Sequence, residues 1–470
     1  MLPRGGLSLI LGAALFASGC ASARDGIVDP SRCSAPSVLR AQTTSNPNNV
    51  LSMYVRADVR DADSVVVRFG VSGALDNVTP AVSATGDSVL ADVLGLFPER
   101  VYSAQAVAFN RCGSTPSDLL SFTTGSLPSD LPRYRASGVA PLPGFVVFAA
   151  GNYGIVIDNS GRVVWYRRFP EGVGLNFQPQ PDGRYAARPS VEAGKIANWV
   201  EIDPDGNVSR TLGCDHGLQP RMHDMIAQTD GSYWLLCDET RTVDLSAQGK
   251  SATAKVLGTA VQWRSAAGEM IFEWSPFDHL AVDLSVLDPA DLTGPSINWT
   301  HGNALDLASD GNLIISYRNL SQVTKIDVRT GVVIWRMGGA KSEFAFDNSA
   351  VPAFTHQHGV RAAGGGSVIL LDNLGEPSGS RAERYEIDEV HHVARLAGTF
   401  ASSDGVTAQI GGSTQLLPEG HTLVSFGSGG GVEEYDATGR VVWRLDGNPG
   451  YIFKAQRIRS LYRPGFGDPR

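Results

Sequence analysis

Residues 354–360 read Phe-Thr-His-Gln-His-Gly-Val, with His356 and His358 two apart. The chain holds only nine histidines in 470 residues. Near neutral pH an imidazole serves as nucleophile, proton carrier or metal ligand. The bland alternatives are a solvated loop or a core histidine already hydrogen-bonded. Spacing elsewhere separates these readings. The stretches TDGSYWLL, SDGNLIIS, GGGSVILL and PEGHTLVS each place a turn glycine, Gly231, Gly311, Gly366 and Gly420, before an apolar run. His223 lies eight residues before Gly231, His301 ten before Gly311, and His358 eight before Gly366. An offset of two preserves the face of a strand. Seven residues beyond the same glycines stand Asp238, Arg318, Asn373 and Gly427, at the ends of the apolar runs. The spacing thus predicts His223, His301, His358 and Arg318 at one end of a shared channel. In a chain of net charge −9, such a cationic cluster is an anion site. Three channel histidines would also suit zinc, but Arg318 beside them would repel a cation, so no metal is expected. His356 shares a strand face with His358 and is read as a contact beside the pocket. His216, His391, His392 and His421 read as solvated or structural, and His279 has no assignment.

The elements that must carry these residues repeat. IVIDNSGRVVW, VEIDPDGNVSR, VQWRSAAGEMIFEW, TKIDVRTGVVIW, RYEIDEVHHVAR and EEYDATGRVVW each read as strand, tight turn and strand. They alternate with the second hairpin, whose copies begin with PDGRYAA at 181–187. Asp-Gly and its relatives are hairpin turns. Two hairpins per period make four strands, and six periods make a six-bladed β-propeller. If the strand entering the second hairpin is innermost, its start faces the channel. One period carries an insertion over roughly Ser275 to Ile297.

The fold class expected is all-β: a propeller over 144–470 preceded by a small β-sandwich over 34–127 and a linker over 128–143. The stretch from Gly95 to Gly125 resembles the last half of a fibronectin type III domain, in its Leu-x-Pro turn, Tyr102 and Phe122-Thr-Thr. Residues 1–20 read as a signal peptide: Arg4 precedes an apolar run from Leu7 to Phe16, too short for a permanent span. Cys20 follows small residues, as at a lipoprotein cleavage site, and is the expected lipidated residue, with 21–33 as linker. Membrane contact would be through that anchor alone, and the chain would be exported, periplasmic or on the outer membrane. Four cysteines remain. Their even number in an exported chain predicts two disulfides, with Cys33–Cys112 and Cys214–Cys237 favoured because each pair lies within one domain. The negative charge excludes nucleic acid as a partner. Oligomeric state is not legible.

The segment WTHGNALDLASDGNLIISYRNLSQVTKID, 299–327, resembles the aryl sulfotransferase family of bacterial enzymes. So do QHGVRAAGGGSVILLDN, 357–373, and MHDMIAQTDGSYWLL, 222–236. The resemblance implies transfer of a sulfuryl group from an aryl sulfate donor to a phenol acceptor through a sulfated histidine, without a nucleotide donor or other cofactor. It implies His358 as nucleophile, with His301, Arg318 and His223 on the sulfuryl oxygens and His301 also a proton shuttle. Asn303, His356 and Asn373 would bind or orient substrate. The chain departs from the family in having Tyr317 before Arg318, where a serine is common, and in the extra His356, an alternative nucleophile. Gly249-Lys250-Ser251 mimics the end of a phosphate-binding loop, but Asp244 occupies its first glycine position. The competing reading is a non-catalytic propeller that binds an anionic or sulfated ligand. A quinone-dependent dehydrogenase would need eight blades and a calcium-binding acid group.

Overall fold

The structure is a computed structural model that describes residues 33–468 except 171, 173, 191–194, 349–352, 376–378 and 466. The expected signal peptide, residues 1–20, and Cys20 as its lipidated residue lie outside the described residues. The alternating pattern of the first part builds two sheets. One contains Ser37–Ser45, Met53–Arg60 and Ser88–Val93, and the other is centred on Ser64–Val71 and Val101–Asn110. Their inward faces share one core that includes Val55, Val67, Ala91 and Tyr102. Cys33 is bonded to Cys112 and Cys214 to Cys237, the pairing expected.

Six sheets follow, each of four or five strands. We number them as blades in order round the ring. Blade 1 takes Phe145–Ala150, Tyr153–Ile157 and Val163–Arg168 from its own segment and its innermost strand, Ala455–Ile458, from the far end of the chain. The innermost strands of blades 2 to 6 are Gly174–Pro179, Gln219–Ala227, Gly302–Leu307, His358–Ala363 and Ser413–Leu416. Each lies against the next, and Ser413–Leu416 lies against Ala455–Ile458, so the order closes on itself. A second closure comes from Ala136–Gly138, which pairs with the outer edge of blade 6 at Trp443–Leu445.

The residue types along these strands explain the ring. An innermost strand has an unpaired edge whose backbone groups need partners away from water. Polar side chains supply them. Gln178 donates to Met225 O at 2.8 Å, Asp224 accepts from Leu305 N at 3.2 Å, and Asp306 from Ala362 N at 3.0 Å. Gln415 accepts from Arg457 N at 2.7 Å. The tryptophans of the outer hairpins join blades further out. Trp165 donates through Nε1 to Pro204 O at 2.7 Å, Trp274 to Gly331 O at 2.9 Å, and Trp443 to Asn159 O at 2.9 Å, each bond reaching the next blade's turn. Among the described residues no helix is long and apolar enough to cross a membrane.

Candidate active site

His223 lies within the innermost strand of blade 3, His301 immediately precedes that of blade 4, and His358 begins that of blade 5. Adjacent blades therefore bring the three rings together. The His223 ring centroid is 5.0 Å from that of His301 and 6.4 Å from that of His358. Phe453, from the closing segment, meets His223 edge to face, with ring centroids 5.5 Å apart. Arg318 follows the second strand of blade 4, and its backbone N–H donates to His301 O at 3.1 Å. His301 holds φ at 51° and His356 at 56°, the left-handed region that costs a residue with a Cβ about 1 kcal/mol. Both departures sit just before the start of an innermost strand.

Hydrogen bonding fixes which nitrogen of His358 carries the proton. Asn373 donates through Nδ2 to Ala408 O at 2.9 Å and Gly411 O at 3.0 Å. Its Oδ1 is left to face His358 Nδ1 at 2.8 Å, so Nδ1 carries the hydrogen and donates. The lone pair is then on Nε2, toward which Gly411 N–H points at 3.3 Å. Burial, with Arg318 and His356 adding to it, lowers the His358 pKa to about 4 against the hydrogen bonds that Nδ1–H donates to Asn373 Oδ1 and His356 O. The ring is neutral at pH 7. Burial also holds His223 and His301 well below their ordinary value, reinforced by Arg221 and the neighbouring imidazoles. His223 Nδ1 is buried with no partner.

Arg318 donates to Asn319 Oδ1 at 2.9 Å and reaches Gln409 O at 3.5 Å, while its buried Nε has no partner. It makes no ion pair among the described residues, unlike Arg221, which is bonded to Asp238. A guanidinium with an unused donor beside three neutral imidazoles suits a small oxyanion. Among the described residues no group of three or more His, Cys, Asp or Glu is arranged to hold a metal ion.

Other expected residues fall differently. Asn373, expected to meet substrate, has both polar atoms committed to His358 and the 408–411 loop. His356 turns to the insertion, where Asp288 Oδ2 lies 2.9 Å from its Nε2. Asn303 donates to Gln357 O at 2.6 Å and so holds the backbone beside His358. Elsewhere, His216, His391 and His421 pair with Glu273, Asp388 and Glu434, and His279 stacks on Trp274 at 4.9 Å. Sequence reasoning missed Gly411, Asn319, Phe453, and the insertion's Asp288, Asp291 and Asn298. None shares the repeat spacing that exposed the histidines.

Fold and site together define a propeller in which three histidines and Arg318 gather beside the innermost strands of adjacent blades. Residues 218–448 match the sequence model of the arylsulfotransferase (ASST) family. That segment, which carries all four pocket residues, belongs to the family, and the family's activity is aryl sulfotransfer. No curated protein matches the chain. Solved structures of similar shape include a protein of unknown function from Bacteroides caccae, at 13% identity, covering 67% of this chain and 100% of that one with a TM-score of 0.45. A virginiamycin B lyase from Staphylococcus aureus is 10% identical, covering 84% and 98%, with a TM-score of 0.35. The β-propeller domain of Cps50 from Myceliophthora thermophila is 10% identical, covering 67% and 90%, with a TM-score of 0.37.

Proposed function

We propose that the protein transfers a sulfuryl group from a phenolic sulfate ester to a phenol through a sulfated His358, with no nucleotide donor. The observation that carries this reading is the Asn373–His358 bond, which leaves Nε2 as a neutral lone pair inside an anion pocket. Nε2 attacks sulfur and forms the N–S bond. The S–O bond to the aryl group breaks, and its electron pair leaves on the phenolate oxygen. A phenol of pKa ~10 leaves without full protonation. The imidazole keeps its Nδ1 proton and becomes cationic, with Asn373 Oδ1 facing the charge. Arg318 and the N–H of His301 and His223 bind the sulfuryl oxygens, and Gly411 N–H, which faces the Nε2 lone pair at 3.3 Å at rest, gives it up for the attack. Stabilising charge on a transferring tetrahedral group with fixed donors is the main catalytic term in the related phosphoryl transfers. An acceptor phenolate then attacks the same sulfur and the N–S bond breaks. One site for both halves gives ping-pong kinetics.

His358 is favoured over His356 because His356 Nε2 is held against Asp288. The same proposal includes export, a lipid anchor at Cys20, and a fibronectin-like spacer over 34–127. The test is release of a chromogenic phenol from its sulfate ester, with and without added phenol, by protein lacking residues 1–20. Phenol should stimulate release, and H358A should abolish it. Retained activity in H358A with loss in H356A would move the nucleophile. No release by folded protein would leave a binding propeller.

A further inference from the structure

The reaction proposed above needs His301 to present a hydrogen to the sulfuryl group, and His301 is neutral in this pocket. Only one of its nitrogens then carries a proton. Asn298, at the end of the blade 3 insertion, places Nδ2 2.9 Å from His301 Nδ1. The same Nδ2 lies 3.3 Å from Asp291 Oδ1. An amide NH2 has two hydrogens and a carboxylate only accepts. Asp291 therefore requires the NH2 end of Asn298 to face this way, and its second hydrogen points at Nδ1 of His301. Nδ1 accepts, so the proton of His301 is on Nε2.

The arrangement is anchored at both ends. Asn319 Nδ2 donates to Asn298 O at 2.7 Å, and Asn319 Oδ1 accepts from Arg318 Nη1 at 2.9 Å. The backbone of Asn298 and the guanidinium of Arg318 are thus held by one side chain. His301 and His358 are polarised in opposite senses: an asparagine oxygen at His358 leaves Nε2 a lone pair, and an asparagine nitrogen at His301 leaves Nε2 a hydrogen.

We propose that Asn298, oriented by Asp291, is a positioning residue that fixes His301 as the Nε2–H tautomer, making it a hydrogen-bond donor to the group in transfer. This rests on the sulfuryl-transfer reading for its purpose, but the tautomer itself does not. The insertion is therefore part of the catalytic site. The charged and titratable groups facing His301 are Arg221 and His223 of blade 3, Arg318 of blade 4, His356 and His358 of blade 5, and Asp288 and Asp291 of the insertion.

The decisive variant is N298D, which keeps the shape but offers Nδ1 an acceptor. His301 then takes its proton on Nδ1, and Nε2 turns a lone pair toward the sulfuryl oxygens. At pH 9 turnover should fall about 100-fold, the usual range for losing one preorganised donor. The new carboxylate raises the His301 pKa, so turnover should recover as pH falls through it, above the limb at which His358 gains a proton, because the protonated ring carries both hydrogens. Wild type should show no such limb. N298D/D291N removes the carboxylate pair that N298D creates and should behave alike. The long-range 1H–15N spectrum of histidine-labelled wild type, with His301 assigned through H301Q, should show Nε2 protonated and Nδ1 bare. A protonated Nδ1 in wild type, or an N298D profile parallel to wild type, overturns the proposal. A bare Nδ1 in a protein without sulfuryl transfer would sink the functional reading and leave the positioning intact.

Discussion

The nucleophile assigned here depends on one proton. An imidazole in water gains a proton near pH 6.5 and loses its nucleophilic lone pair below it. Burial moves His358 down to about 4. Rate of transfer at limiting donor should therefore hold as pH falls from 7 and decline only near 4. The donor sulfate stays anionic over this range, so the acidic limb reports the enzyme. H356Q removes the smallest of the lowering contributions, so it should move that limb up only slightly and not abolish it. A limb near 6.5, or one that disappears in H356Q, would mean that His358 is not the nucleophile. The three channel histidines were legible because the repeat supplies a ruler, the turn glycine, against which eight, ten and eight residues could be compared. Asn298 and Asp291 have no such ruler, because they sit in the single insertion. The hydrogen bonds of Asn373 were hidden for another reason: its position at a strand end was visible, but the two carbonyls that claim its Nδ2 come from the 408–411 loop.

At the scale of the elements, the tryptophans that end the outer hairpins should not contribute equally. Trp443 donates to Asn159 O across the junction between blades 6 and 1. Trp335, equally buried in blade 4, has no partner for Nε1. Trp→Phe removes the N–H from either while keeping most of the apolar contact. A lost buried hydrogen bond that strands a carbonyl costs about 1–3 kcal/mol. Urea denaturation should thus show W443F less stable than W335F by about 1–2 kcal/mol, after both lose similar volume. Equal midpoints and slopes would remove the docking role assigned to these bonds. The outer hairpins were readable from the sequence since they are local: strand, tight turn, strand, tryptophan. The side chains that satisfy the inner edges were not, because a glutamine in a strand looks the same whether it faces solvent or a neighbouring blade's backbone.

At the scale of the whole molecule, the sequence shows six outer hairpins but only five copies of the inner turn. The missing copy never existed as a hairpin. Blade 1 takes its innermost strand from residues 455–458, hydrogen-bonded to Phe145–Phe148 more than 300 residues away. No local pattern can announce a pairing between the two ends of a domain. The same segment carries the buried Lys454, whose Nζ lies 2.6 Å from Asp224 Oδ1 on the innermost strand of blade 3. Asp224 is also paired with Arg361 at 2.9 Å, so the closing strand completes both a sheet and a buried charge network. Burial lowers Lys454 to about 8 against the pull of Asp224, and the lysine is still largely charged at pH 7. Removing 451–470 opens the edge of blade 1, exposes its apolar face, and leaves Asp224 with one cationic partner of two. Breaking a buried pair alone costs about 3–5 kcal/mol, a large share of the 5–15 kcal/mol that holds a typical domain folded. The shortened chain should lose the cooperative thermal transition of the propeller and, with it, any phenol-stimulated sulfate release. A synthetic 451–470 peptide added in trans should restore part of both, because the strand is held by pairing and side-chain contacts rather than by the covalent link. A shortened chain that melts cooperatively within a few degrees of the full one would show that the ring does not need its last strand.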